Sequence, residues 1–157
     1  MQYTKQIAKH LNEVYNGGNW TWVNLHDTLK DVTWQQATAK VYDMNTIAVL
    51  TYHVGYYVAA ILNVLRGNPL DAKDELSFNH PPINSQADWQ AMCHGIQDDW
   101  LALVAAIEQL PDEKLGEFFT QEKYGFYYRN LQGLIEHTHY HMGQIVIIKK
   151  LLKAEGR

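Results

Sequence analysis

The sequence predicts an all-α protein, a four-helix bundle, and three observations carry the helical prediction. Apolar residues recur at steps of three and four over long stretches, most clearly Leu134, His137, His141, Ile145, Ile148 and Leu152. Residues that stop helices follow these stretches: Asn16-Gly17-Gly18-Asn19, Gly67-Asn68-Pro69 and Pro111. Four such arms fit one domain of 157 residues, which is long enough to bury a core without disulfides.

Tyr3 to Tyr15 reads as the first helix, with Ile7, Leu11 and Val14 on one side. A second helical piece is expected over Trp20 to Leu29, and Thr33 is placed to cap a further turn at Trp34. The next long helix runs from Thr46 to Arg66 after Asn45. It is apolar nearly all round, which makes it a central element, and its polar exception His53 shares a stripe with Leu50, Tyr57, Ala60 and Val64. The stretch SFNHPPINS, 77–85, reads as loop. Ser85 with Asp88 resembles a capping box and opens a helix to Leu110, with Trp89, Cys93, Ile96, Trp100, Leu103 and Ile107 inward. One helical turn is expected around Lys114 to Phe119, then an aromatic loop. The last helix spans Asn130 to Lys153, with Asn130 as N-cap, lysines near the C-terminus and Gly156 as terminator. The connections between long helices exceed the ~2–8 residues usual between antiparallel neighbours, which allows at least one crossover instead of simple up-and-down winding.

Composition narrows the function classes. The chain is 46% apolar and 19% charged, with a net charge of −4, which argues against a nucleic-acid groove. The run Ile47 to Leu65 is interrupted by His53, Asn63 and several tyrosines and reads as a poor membrane span. The N-terminal MQYTKQIAKH lacks a signal-peptide core, and the lone Cys93 suits a reducing compartment, so the expected location is cytoplasmic. Cys93 and the five tryptophans are read as core residues.

The chemistry concentrates in histidines. His137 and His141 are one helical turn apart on the inward stripe, so both rings can reach one ion, while His139 points to another side. His53 from the facing helix closes a triangle. Three neutral ligands leave a divalent ion its full charge and open coordination positions, which suits activation of a water or a thiol. The plainer alternative is a set of core imidazoles bonded to carbonyls or tyrosines. The zincin pattern is missing, because Glu136 precedes His137 and Thr138 follows it. Gln144 could bond to a ligand histidine, Tyr57 could orient a bound water or substrate, and His26 could line the same cavity or lie on the surface. Tyr124, Tyr127, Tyr128 and Arg129 form an aromatic, cationic stretch that could clamp an anionic substrate or simply pack over the bundle end. Gly143 reads as a place where another helix approaches closely.

The string His137-Thr138-His139-Tyr140-His141-Met142-Gly143-Gln144-Ile145 resembles the HxxxHxGQI signature of the DinB-like, YfiT-like superfamily, and His53 in Thr51-Tyr52-His53-Val54 matches its remaining ligand position. The resemblance extends over essentially the whole chain, 1–157. It implies a four-helix bundle with up-down-down-up winding and a divalent metal on His53, His137 and His141, zinc or nickel commonly, with manganese or iron as further candidates. Relatives include thiol S-transferases using low-molecular-weight thiols, a mycothiol-dependent maleylpyruvate isomerase and proposed metal-dependent hydrolases, and many are homodimers. The stretches NGGNWTWVNL and SFNHPPINS place the chain nearer members without an assigned reaction, so no substrate is carried over. The expectation is a metal-dependent transferase or hydrolase acting on a small molecule, with a non-catalytic binding module, its metal structural or absent, as the alternative.

Overall fold

The structure, a computed structural model, describes residues 1–157. It is all-helical, with four long helices, α1 (Tyr3–Asn16), α4 (Ile47–Leu65), α5 (Gln86–Glu108) and α6 (Tyr127–Ala154), and two short ones, α2 (Leu25–Leu29) and α3 (Trp34–Thr38), in the first crossover. Short 3₁₀ turns lie at Asp74–Phe78, Asp112–Gly116 and Glu122–Tyr124.

Residue pairs across the bundle give the winding. Thr4 bonds to Asp112 and Leu11 accepts from the Trp100 indole, so α1 and α5 are antiparallel. Tyr3 and Tyr128 share one surface depression, and His10 acts electrostatically on His139, so α1 and α6 are parallel. Leu50 lies near Ile148, while Ile61 lies near Gly133, so α4 runs against α6. The order is therefore up, down, down, up. The parallel neighbours α4 and α5 require a return the length of the bundle, which explains the long segment 66–85.

Local signals set most boundaries. Thr46 and Ser85 each accept from the backbone N–H three residues on, and Thr33 with Gln36 forms a complete capping box. Asp88 bonds to the N–H of Asn84 rather than that of Ser85, so its carboxylate reaches one residue further back than a capping box would. Helices α4 and α6 end in Schellman turns: Gly67 and Gly156 have φ of 87° and 73°, and the following residues, Asn68 and Arg157, bond back to Asn63 and Leu152.

Two boundaries differ from expectation. Residues 20–23 are not helical: the Asn19 side chain holds Glu13 and Val23 carbonyls and accepts from Thr21, folding the chain into a loop and delaying α2 to Leu25. That loop leaves Trp20 98% and Trp22 89% exposed, so only Trp89 and Trp100 are fully buried indoles, bonded to the Val32 and Leu11 carbonyls. Helix α6 begins at Tyr127 with Phe126 at the N-cap, and Asn130 instead donates to the Tyr124 and Phe126 carbonyls. The start is set earlier because Tyr127 bonds to Glu117 and Phe126 pairs with Phe118.

Helix α4 is long and apolar enough by composition to cross a membrane, yet most of it is buried inside the bundle. It approaches α5 through Gly55, where a Cβ would fall 2.5 Å from Ile96 Cγ1. Gly143, the residue expected at a close helix crossing, is exposed with nothing near its Cβ position.

Candidate metal centre

The antiparallel contact of α4 with α6 sets His53 against His137 and His141. One ring nitrogen from each residue lies within 4.8 Å of the others, and His53 Nε2 is 2.9 Å from His137 Nε2. His53 and His141 are buried and His137 is half-buried.

Two of the three rings are fixed from behind. The Ser77 hydroxyl donates to the Asp74 carbonyl, so it accepts from His53 Nδ1–H at 2.8 Å and leaves the Nε2 lone pair facing the cluster. The Gln144 side-chain oxygen accepts from His141 Nδ1–H at 2.7 Å, which frees that Nε2 as well. With His53 Nε2 bare, the 2.9 Å contact makes His137 Nε2–H the donor to it. That proton must leave His137 Nε2 before the third lone pair can bind a cation.

Burial and the neighbouring imidazoles His141 and His53 hold the His137 pKa down to about 4, and burial with His141 lowers that of His53. Both are therefore neutral at pH 7, the form that binds a metal. The donor set thus fits a divalent ion. Its widest span exceeds the roughly 3.3 Å between adjacent nitrogens on a tetrahedral zinc with ~2.0–2.1 Å bonds, so small ring rotations must close the set.

Around the cluster, Phe78 stacks on His53 with centroids 4.2 Å apart, and Tyr57 stands edge-on to both His53 and His137. The Tyr57 hydroxyl donates to Asp74 Oδ1, and burial with that carboxylate pushes its pKa up to about 12, so it remains a phenol. The rings of His53 and His137 form one wall of an open pocket of about 690 Å³, which Tyr57, Asp74 and Arg129 also line.

Two further histidines lie away from the cluster, His139 as its place on the helix predicts and His26 on the surface. His26 is exposed on α2, near Tyr15, and lines a different depression that includes Cys93, because α2 packs against α1 and α6 away from the α4 face. His139 turns toward α1, where burial and His10 lower its pKa. Cys93 is half-buried, and burial pushes its thiol up to about 12, which keeps it protonated. Arg129 lies in the first turn of α6 rather than in a loop, and Tyr127 is buried against Phe119.

The sequence reading missed Asp74, Ser77 and Phe78. They sit in a turn preceding a proline-rich loop, and no periodicity marks them; only the folding of segment 66–85 back over α4 brings them to His53.

A family model described as the DinB superfamily matches residues 18–145. That span contains all three histidines of the cluster. No curated protein and no solved structure matches the chain.

Proposed function

The chain belongs to the DinB superfamily, and on that footing we propose that it is a metal-dependent enzyme whose His53, His137 and His141 hold one divalent ion, zinc or nickel before manganese or iron. When bound, the ion would activate a low-molecular-weight thiol or a water for attack on a small electrophile, as in a thiol S-transferase or a hydrolase. The observation that carries the reading is the convergence of three imidazole nitrogens within 4.8 Å of one another, with two of the rings, His53 and His137, lining an open pocket. A buried set without access would serve structure alone.

The protein's own groups have assignable tasks in this reading. Ser77 and Gln144 hold the His53 and His141 tautomers so that both Nε2 atoms face inward. Tyr57 and Asp74 present a hydroxyl and a carboxylate to the same pocket and can orient a substrate there. Phe78 covers one face of His53 and keeps water from it. The location proposed is the cytoplasm, where a lone Cys93 stays reduced.

The His137–His53 contact supports a second reading, because a hydrogen-bonded pair satisfies both rings without an ion. In that case the pocket belongs to a binding module. Metal content separates the two: protein purified without a nickel column is compared with a His53→Ala, His137→Ala double variant. About one divalent ion per chain in the wild type and none in the variant is expected, followed by a screen of thiol transfer to electrophiles. No ion in either, even after zinc, nickel or manganese is added, would leave the binding module.

A further inference from the structure

We propose that the pocket beside the histidines takes an elongated organic anion, its charged group at Arg129 and Lys123, its apolar body along α6, and its far end at His53 and His137. The assignment of that far end as the reacting one rests on the metal chemistry above; the binding of the anion does not.

The lining has a direction. It follows one face of α6 from Arg129 and Asn130 through Gly133 and Leu134 to His137. Eight residues separate the first and last of these positions, a rise of ~12 Å at 1.5 Å per residue. At one end stand two cations, and neither takes part in any ion pair of the structure. Lys123 has only the Tyr124 ring, 4.8 Å from its Nζ. Arg129 lies over Gly125, whose φ of 71° and missing Cβ leave room for it; a Cβ there would meet Arg129 Cδ at 3.1 Å. Arg129 also occupies the first turn of α6, where the helix dipole disfavours a cation and no acidic residue answers it. Two unpaired cations lining one pocket form a site for a carboxylate or phosphate.

The carboxylate in the lining, Asp74, belongs to the other end, where Tyr57 donates to it. Between the ends the wall is apolar, with Ala60, Ile61, Leu70 and Leu134. A compact dianion would leave that wall wet, whereas a chain with an apolar body covers it. Each methylene buried there strengthens binding by up to roughly fourfold.

Gly133 supplies the decisive variant. A Cβ at this position meets nothing within 4 Å, so a larger side chain enters open space instead of clashing. Gly133→Leu therefore fills the middle of the pocket while improving the helix.

The experiment is calorimetric titration of the full chain with octanoate, hexanoate, acetate and the neutral octanamide, in EDTA and again with zinc. Octanoate is expected to bind in both conditions, at least tenfold more tightly than octanamide and in the order octanoate, hexanoate, acetate. An Arg129→Gln, Lys123→Gln double variant should reduce octanoate to the level of the amide. Gly133→Leu, with circular dichroism and melting temperature maintained, should abolish binding.

Equal affinity for octanoate and octanamide, no binding, or binding unchanged by Gly133→Leu would overturn the proposal. Octanoate binding that disappears in EDTA would also overturn it, because the carboxylate would then be sitting on the metal. Octanoate binding without any metal uptake would sink the enzyme reading and leave the anion pocket standing; metal uptake without octanoate binding would do the reverse.

Discussion

Acidifying the metal-free protein from about pH 7.5 to about pH 5 should weaken it through His137. The folded-state pKa of this histidine is depressed to about 4 from an ordinary 6.5, so between those values the unfolded chain binds the proton and the folded chain does not. Its contribution is therefore fully present above pH 6.5 and is lost as the pH falls toward 4. Each tenfold difference in proton affinity corresponds to about 1.4 kcal/mol, and by pH 5 roughly one and a half such decades have titrated, giving ~2 kcal/mol. His137 is only half-buried, and water screens part of this, so about 1 kcal/mol is the expected loss, or ~2–4 °C in melting temperature for a chain of this size. The lowered His53 pKa acts in the same direction. Asp31, Asp88 and Asp112 have lowered pKa values, so their contributions persist above the unfolded carboxylate range and do not enter at pH 5. The assay is urea unfolding in EDTA at both pH values, with His137→Gln as reference. The wild type should lose about 1 kcal/mol more than the variant. A wild type whose stability is flat or rises toward pH 5, or a variant with the same loss, would refute the assignment of burial and neighbouring imidazoles as the cause.

Metal binding should separate the histidines by face: His137→Ala and His141→Ala should each remove a bound zinc detected by mass spectrometry, while His139→Ala, directed toward His10, should retain it. Ser77→Ala removes the acceptor that fixes the His53 tautomer, so zinc affinity measured by competition with a chelator should fall ~10–100-fold with little change in helical content. Gly55→Ala places a methyl 2.5 Å from Ile96 Cγ1 and 3.2 Å from its Cγ2, so no rotation of that branched side chain clears both. Overpacking of about 1–3 kcal/mol should outweigh the ~1 kcal/mol gained in helix propensity, giving a net loss in urea unfolding. Gly143→Ala, where a Cβ meets nothing, should instead stabilise by ~0.5–1 kcal/mol.

Periodicity alone determined the helical class, because an apolar stripe at steps of three and four has no other way to be buried. The same stripe turned His137 and His141 inward, and the apolar surroundings of His53 put that ring in the core. Helix ends with local chemistry were also legible: Thr33, Ser85, Gly67 and Gly156 act through their own side chains or backbone conformation within a few residues. Where a boundary depended on distant groups, local reading failed. Helix α6 starts at Tyr127 because Glu117 and Phe118 bind it, and residues 20–23 leave the helical state because Asn19 captures carbonyls on both sides of the turn.

Tertiary structure decided the site's completion. Ser77, Asp74 and Phe78 reach His53 only because α4 and α5 run parallel and their connection must return across the bundle. The departure of His26 to another face and the exchange of roles between Gly55 and Gly143 are likewise outcomes of packing, whereas the bond of Gln144 to His141, three residues apart on one helix, was legible in the sequence. A sequence states which side of its own helix a residue occupies; which neighbour that side meets is a relation between elements, set by how four stripes are buried at once.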